Sequence, residues 1–128
     1  MKTLVLDSNV FIRYLTGDVK AHYEEARGLF EEIESGEIVG QVSVLVINEV
    51  IWILQNFYKF KRSVFVPQLL KIFGLKNLRI IEVKKSLVVK ILKKFEETNF
   101  DFTDLYLAEI TTRSTLFSFD RDFKKIFS

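Results

Sequence analysis

Four acidic residues in separate parts of the chain are candidates for a shared metal site. Asp7 directly follows a short apolar run at the start of the chain, and Asp120 directly follows another near its end. Asp104 falls in the first turn of a predicted helix, and Glu49 lies inside a long apolar helix. Mg²⁺ and Mn²⁺ prefer carboxylate and water oxygens as ligands. The set therefore indicates one or two such ions that polarise a phosphate and activate water for attack on it.

Glu49 carries the most information because its helical neighbours are apolar. The residues three and four positions away on either side are Leu45, Val46, Trp52 and Ile53. No Lys or Arg occurs between residues 40 and 58, so no basic partner is available on the same helix. An unpaired carboxylate is costly to bury. We therefore expect Glu49 to be largely buried and to be compensated by a proton, a metal ion or a basic side chain from elsewhere.

The other acids also have purely structural interpretations. Asp7 or Ser8 would suit the N-cap of the first helix. Asp104 would suit the positive end of a helix dipole, and Asp120 with Asp122 would suit the start of the last helix. Ligands of open α/β sheets bind beyond the carboxyl ends of the strands, and several of these acids are predicted at that edge. This joint placement favours a site over four separate caps.

The elements that position these acids alternate between strands and helices. Apolar runs predict strands at residues 3–6, 37–42, 78–83 and 115–119. Ser43 is predicted to cap a long helix that reaches about Tyr58, and Thr103 to cap the helix that carries Asp104. Pro67 predicts that the helix before the third strand begins near Val64, because proline suits only a first turn. A strong amphipathic stripe begins at Ser86.

The predicted order is β-α-α-β-α-α-β-α-α-β-α. Continuous apolar strands that alternate with helices are typical of a parallel sheet covered on both faces. The sequence therefore predicts a three-layer α/β/α fold with a small parallel sheet of about four to five strands, and a single domain over residues 1–128.

Composition excludes several classes of protein. The chain has 128 residues, of which 48% are hydrophobic and none is cysteine. These values exclude intrinsic disorder, disulfide scaffolds and thiolate metal sites. No apolar run approaches the ~20 residues of a membrane-spanning helix, and no P-loop or dinucleotide fingerprint is present. We expect a cytoplasmic protein without a membrane partner.

Charge is unevenly distributed along the chain. Residues 1–64 contain seven Lys or Arg and nine Asp or Glu, whereas residues 65–128 contain twelve and eight. This difference is compatible with a polyanionic partner for the second half. Arg13 and Arg121 are candidate phosphate contacts, although neither lies in a specific motif.

Four segments resemble, in order, the successive motifs of PIN-domain nucleases, and most closely those of the VapC-type toxins of prokaryotic toxin–antitoxin pairs. They are 4–10 (LVLDSNV), 48–52 (NEVIW), 102–108 (FTDLYLA) and 118–123 (SFDRDF). The resemblance covers essentially the whole chain. It implies an endoribonuclease that depends on Mg²⁺ or Mn²⁺, acts as a homodimer and is inhibited by a cognate antitoxin.

The resemblance also implies roles for individual residues. The core catalytic and metal-binding acids would be Asp7, Glu49 and Asp104, with Asp120 as the fourth. Supporting residues would be Ser8, Ser118, Asp101 and Asp122. Ser8 and Ser118 would orient the acids, Ser118 standing where the family often has threonine. Asp101 and Asp122 are less expected to touch metal. Arg13 or Arg121 would contact substrate or inhibitor.

Two alternatives remain open from the sequence. A phosphatase of the haloacid-dehalogenase type also has an aspartate after its first strand, but it needs a second aspartate where this chain has Asn9. A non-catalytic RNA-binding or receiver-like module would keep only a vestigial acidic pocket. The sequence does not separate a toxin from an RNA-processing nuclease.

Overall fold

Three parallel strands form the sheet in the part of this protein that the structure describes. A computed structural model describes residues 2–128, so only Met1 of the predicted domain lies outside the described residues. The strands are β1 (Lys2–Val5), β2 (Ile38–Val42) and β3 (Leu78–Ile80), in the order β1-β2-β3. Both pairings are parallel, with Lys2 opposite Ile38 and Gly40 opposite Leu78. The α/β/α class with a parallel sheet is therefore confirmed.

Within residues 2–128, seven α-helices connect and follow the strands. They are α1 (Ser8–Thr16), α2 (Lys20–Ser35), α3 (Val44–Trp52), α4 (Arg62–Phe73), α5 (Lys85–Glu97), α6 (Phe102–Ile110) and α7 (Asp122–Ile126), and a π-helical turn (Ile53–Phe57) extends α3. The long helix predicted to reach Tyr58 is thus an α-helix followed by a π-helical turn. The predicted order of helices is otherwise confirmed.

The predicted fourth strand does not form, so the described part of the chain has three strands instead of four or five. Residues 115–119 have no strand pairing. Local hydrogen bonds occupy the backbone of the first two of these residues: the Thr112 carbonyl accepts from the N–H groups of Thr115 and Leu116, and Thr115 Oγ1 accepts from the Thr112 N–H. Hydroxyl side chains that bond nearby backbone groups compete with strand pairing, which explains the wrong prediction.

The core lies around the central strand and the amphipathic helix. The ends of β2, Ile38 and Val42, are buried, and so is the apolar stripe of α5, which consists of Val88, Ile91, Leu92 and Phe95. Gly40 in β2 has a specific packing role. A Cβ atom at this position would lie 2.8 Å from Ile33 Cδ1 and 2.9 Å from Leu78 Cδ1. Glycine therefore lets side chains of α2 and β3 close over the middle of the sheet.

Two helix starts differ from the predictions. Helix α4 begins at Arg62 rather than near Val64, with Pro67 in its interior. In a regular helix the N–H of residue 67 would donate to the carbonyl of Ser63, but proline has no N–H. Ser63 is exposed, so the loss of this hydrogen bond does not leave a buried carbonyl without a partner. Helix α6 begins at Phe102, and Thr103 does not cap it. The Thr103 hydroxyl instead donates to Asn48 Oδ1 at 3.2 Å.

Arg62 explains why α4 begins where it does. Its Nη1 atom lies 2.9, 2.8 and 2.7 Å from the carbonyl oxygens of Phe95, Thr98 and Phe100. Its guanidinium carbon also lies 3.7 Å from the centre of the Phe95 ring. One side chain therefore ties the first turn of α4 to the C-terminal end of α5, and burial lowers its pKa.

Among residues 2–128, no helix is both long enough and apolar enough to span a membrane.

Candidate active site

The helices that carry the predicted acids are neighbours in space. Helix α3 packs against both α1 and α6, and α6 packs in turn against α7. Asp7 immediately precedes α1, Glu49 lies in α3, and Asp104 lies in the first turn of α6. The hydrogen bond from Thr103 to Asn48 joins the residue before Asp104 to the residue before Glu49. The fold therefore brings segments that are distant in sequence to one region.

Three aspartates form a close cluster in that region. Asp104, Asp120 and Asp122 each contribute one carboxylate oxygen, and these oxygens all lie within 4.8 Å of one another. Asp104 and Asp122 are half-buried, whereas Asp120 is exposed. We refer to these three residues as the aspartate cluster. Asp122 was expected only as a supporting residue, but the structure places it beside two of the predicted core acids.

The electrostatic environment of Asp104 is unfavourable to a free carboxylate. Burial raises its pKa, and the nearby charges of Asp101, Asp120 and Asp122 raise it further. Asp101 is thus close enough to affect Asp104, although its own carboxylate is not part of the cluster. Among the described residues, no Lys or Arg forms an ion pair with any of these aspartates. The region holds an excess of negative charge that a cation would neutralise.

Short hydrogen bonds fix the chain around Asp120. Its backbone N–H donates to Ser118 Oγ at 3.0 Å, and its Oδ1 accepts from the Asp122 N–H at 2.9 Å. The N-cap position of α7 is Arg121, so the prediction that Asp120 is the N-cap is wrong; its carboxylate instead accepts from Asp122, the first residue of the helix. Asp120 therefore bonds the start of α7 and also belongs to the aspartate cluster.

Asp7 lies outside the aspartate cluster and caps α1. Its Oδ1 accepts from the Ser8 N–H at 2.7 Å, and Ser8 Oγ lies 3.5 Å from the same oxygen. Asp7 is exposed, whereas Ser8 is buried. The side chain of Ser8 is thus positioned by the core and holds the Asp7 carboxylate at the end of β1.

Glu49 is exposed, and the expectation that it would be buried is wrong. Its apolar neighbours Leu45 and Trp52 are themselves 78% and 62% exposed, so the face that carries Glu49 meets solvent. The core contacts of α3 come instead from residues such as Ile47 and Val50. Glu49 is not one of the three clustered acids.

The two predicted substrate arginines have different surroundings. Arg13 Nη1 donates to both carboxylate oxygens of Asp18, at 3.0 and 2.9 Å. Arg121 is exposed and immediately precedes α7, next to Asp120 and Asp122 in the chain. Arg13 is therefore already engaged by a carboxylate, whereas Arg121 borders the aspartate cluster.

The structure adds residues that sequence reasoning missed. Glu82, after β3, accepts from the Ser43 hydroxyl and from the Val44 N–H, and so fixes the start of α3. The Ser43 hydrogen bond lowers the pKa of Glu82. No sequence signal shows this contact, because Glu82 lies 38 residues after Val44.

A cavity beside the aspartate cluster brings basic groups to the acids. Its lining includes Ser118, Asp120, Arg113 and Lys124. Arg113 had not been singled out from the sequence, and its Nη2 atom donates to the Phe127 carbonyl at 2.7 Å. Negative and positive side chains therefore share one depression at the end of the chain.

Comparison with known proteins now gives the family. The family model described as PIN domain matches residues 4–127. The chain belongs to the PIN domain family. This finding confirms the predicted resemblance and leaves the haloacid-dehalogenase alternative without support.

One relative of this PIN domain is Ribonuclease VapC2 of Methanocaldococcus jannaschii. The two sequences are 28% identical over 136 aligned residues, which cover 96% of this chain and 88% of the relative. No solved structure gives a significant match. The PIN domain is thus similar, over nearly its whole length, to a protein named as a ribonuclease.

Proposed function

We propose that this PIN domain is an endoribonuclease that depends on Mg²⁺ or Mn²⁺, and that the whole chain, residues 1–128, is one nuclease domain. The observation that carries the proposal is the aspartate cluster, in which Asp104 has a raised pKa and no basic partner within the described residues. The similarity to a protein named Ribonuclease VapC2 supports RNA as the substrate.

The residues present fit a hard divalent cation. The aspartate cluster offers only carboxylate oxygens, which Mg²⁺ and Mn²⁺ prefer. Its three oxygens lie within 4.8 Å of one another, close enough to share one ion. A zinc site is disfavoured, because the chain has no cysteine and its one histidine is His22 in α2.

In this proposal, Asp104, Asp120 and Asp122 hold the cation, and Asp7 and Glu49 complete the site from the ends of β1 and from α3. Bound there, the cation would polarise the scissile phosphate and activate the attacking water. Asp101 lies outside the ligand set, and its negative charge contributes to the raised pKa of Asp104. The proposal therefore adds Asp7 and Glu49 to the three residues of the aspartate cluster. Both are exposed, and both lie in segments that resemble the family motifs.

The remaining residues position the acids and the RNA. Ser118 holds the backbone of Asp120, and Ser8 holds the carboxylate of Asp7. Arg113 and Lys124, which line the adjacent cavity, would bind phosphates next to the scissile bond. Arg121, which lies between Asp120 and Asp122 in the chain, is a further candidate. Arg13 is a weaker candidate for RNA binding because it is paired with Asp18.

We further propose a homodimer in the cytoplasm, inhibited by an antitoxin. Several apolar side chains of α3 and α4 are buried within the protomer, namely Ile47, Ile51, Phe65 and Val66. Leu45, Trp52 and Phe57 remain 78%, 62% and 74% exposed along α3 and its π-helical turn. A second protomer would cover these side chains. The antitoxin is proposed from the resemblance of the four sequence segments to VapC-type toxins, and sedimentation of the purified chain tests the dimer.

RNA cleavage tests the proposed activity. Purified protein would be incubated with structured and unstructured RNAs in Mg²⁺, Mn²⁺ or EDTA, together with Asp104→Asn and the control Glu109→Gln. Glu109 lies in the same helix and pairs with Lys90 instead of joining the cluster. We expect metal-dependent cleavage that Asp104→Asn abolishes and Glu109→Gln retains. Cleavage that persists in EDTA, or in Asp104→Asn, contradicts the proposal.

A further inference from the structure

Two phenylalanines next to the aspartate cluster are almost entirely exposed. Phe117 and Phe119 are 84% and 93% exposed, and their ring centres lie 5.4 Å apart in an edge-on arrangement. Large apolar side chains are normally buried, and a pair of them held in solvent calls for a partner. Their position is informative, because Phe119 immediately precedes Asp120.

The two rings are attached to the same short segment as the acids. Ser118 lies between them and accepts the hydrogen bond from the Asp120 N–H. Turn hydrogen bonds at Thr112, Thr115 and Leu116 hold the preceding residues. The segment is therefore fixed at both ends without strand pairing, and it presents the rings and the Asp120 carboxylate together.

The surroundings of the rings favour RNA over a protein partner. Ser118, Thr115 and Asp120 are exposed beside the rings, so the surface is not a continuous apolar patch. Arg113 and Lys124 line the cavity that Ser118 and Asp120 share. Exposed aromatic rings beside basic groups are the combination that binds single-stranded nucleic acid, because every base has a face that can stack and every nucleotide has a phosphate.

We propose that Phe117 and Phe119 stack on unpaired bases of the RNA next to the scissile bond. This inference rests on the proposed ribonuclease function and adds two residues that position the substrate. The rings hold the bases while Arg113 and Lys124 hold the phosphates, which positions the backbone at the aspartate cluster. Bases paired in a duplex are stacked on each other and present no free face to the rings.

RNA binding without cleavage tests this inference separately from the nuclease activity. In an Asp104→Asn background, anisotropy would report the binding of a labelled single-stranded oligoribonucleotide of mixed sequence and of the same RNA in a duplex. The variants are Phe117→Ala/Phe119→Ala, Phe117→Leu/Phe119→Leu and Phe117→Trp/Phe119→Trp. Phe60→Ala is the matched control. Phe60 is also exposed, its ring centre lies 5.6 Å from that of Tyr58, and it is not among the side chains proposed for the dimer contact.

We expect the alanine and leucine pairs to lose affinity for the single strand by about tenfold for each ring removed, since a stacked base contributes roughly 1–3 kcal/mol. The tryptophan pair should retain affinity for the single strand. Phe60→Ala should not change it, and no variant should change the affinity for the duplex. Unchanged single-strand affinity in the alanine pair overturns the inference, as does an equal loss for the duplex. A change of oligomeric state in the alanine pair, measured by sedimentation, would also overturn it by showing a protein interface.

The same experiment distinguishes the two proposals. If the wild-type protein cleaves no RNA but the ring variants lose single-strand affinity, then the nuclease proposal fails and the stacking proposal survives. If metal-dependent cleavage occurs but ring substitutions leave binding unchanged, then the stacking proposal alone fails. A Mn²⁺ titration of the ring variants with Asp104 intact should match wild type, which confirms that the aspartate cluster is preserved.

Discussion

Asp18 and Asp104 are both aspartates near the surface of this protein, and their surroundings are opposite. Asp18 accepts hydrogen bonds from Tyr58 Oη at 2.6 Å and from Thr16 Oγ1 at 2.9 Å, and it pairs with Arg13. The hydrogen bond from Tyr58, followed by those from Thr16 and Arg13, lowers the pKa of Asp18 to about 2. Asp104 instead faces three other aspartates, and burial together with their charges raises its pKa.

The difference separates a structural carboxylate from a candidate ligand. Asp18 has its charge satisfied by groups of the same chain, and it joins the end of α1 to the residues after α3. Asp104 has no such partner among the described residues, so a proton or a cation would be needed to neutralise its charge. Perturbed carboxylates that lack an internal partner are those expected at functional sites. The predictions below test this contrast, from the largest expected effect to the smallest.

The largest difference should appear in the rate of RNA cleavage. Asp104→Asn removes a proposed metal ligand and should lower the initial rate by at least about a hundredfold, because even groups that only orient ligands cost 10–100-fold. Asp18→Asn should change the rate by less than about twofold, since Asp18 contacts no cluster residue. Initial rates at saturating Mg²⁺ measure both effects. An equal loss of rate in the two variants would contradict the proposed difference between Asp18 and Asp104.

Metal should stabilise the folded protein only through the aspartate cluster. An ion that binds the native state alone adds about 2.7 kcal/mol at a concentration of one hundred times its Kd. Thermal unfolding in Mn²⁺ and in EDTA should therefore show a clear rise in Tm for wild type and for Asp18→Asn. Asp104→Asn should show little rise. A full Mn²⁺ shift in Asp104→Asn would mean that the ion binds elsewhere.

Without metal, the two substitutions should change stability in opposite directions. Asp18→Asn weakens the hydrogen bonds that three side chains, those of Arg13, Thr16 and Tyr58, donate to a charged acceptor, and it should lower the urea midpoint in EDTA. Asp104→Asn removes a half-buried charge that three neighbours repel, so the midpoint should stay the same or rise slightly. The informative failure would be a marked destabilisation by Asp104→Asn in EDTA.

The dependence of stability on pH should also differ in sign. The pKa of Asp18 falls from 3.8 to about 2, so its contribution is complete above pH 3.8 and is lost as pH falls through about 2. The pKa of Asp104 is raised above 3.8, so its contribution is present below that pH and is lost as pH rises through the raised pKa. The measurement is the urea midpoint in EDTA as a function of pH. Asp18→Asn should reduce the fall in midpoint as pH drops below 3.8, and Asp104→Asn should reduce the fall in midpoint as pH rises above 3.8.

Much of the fold could be predicted because it depends on local patterns. The apolar runs of β1, β2 and β3, the cap at Ser43 and the stripe of α5 are all confirmed. The strand predicted at residues 115–119 does not form, because the hydroxyl and N–H of Thr115 and the N–H of Leu116 all bond to the backbone of Thr112. Composition indicates strand propensity, but it does not reveal whether strand pairing or local hydrogen bonds will be more stable.

The site was predictable in its residue types more than in its geometry. Adjacency to strands and helix starts singled out Asp7, Asp104 and Asp120, whose roles remain predictions. The burial of Glu49 could not be predicted, because a helix that is apolar nearly all round gives no sign of which face meets solvent. The contribution of Asp122 depends on how α6 packs on α7, and that packing is a tertiary property.

The most direct test of the central claim is an anomalous difference map from crystals grown with Mn²⁺. The account predicts a peak coordinated by carboxylate oxygens of Asp104, Asp120 and Asp122, with no ion at Asp18. Participation of Asp7 or Glu49 in the same coordination would extend the site as proposed. A map with no Mn²⁺ among these three aspartates, or with the ion held only by other residues, would contradict the account.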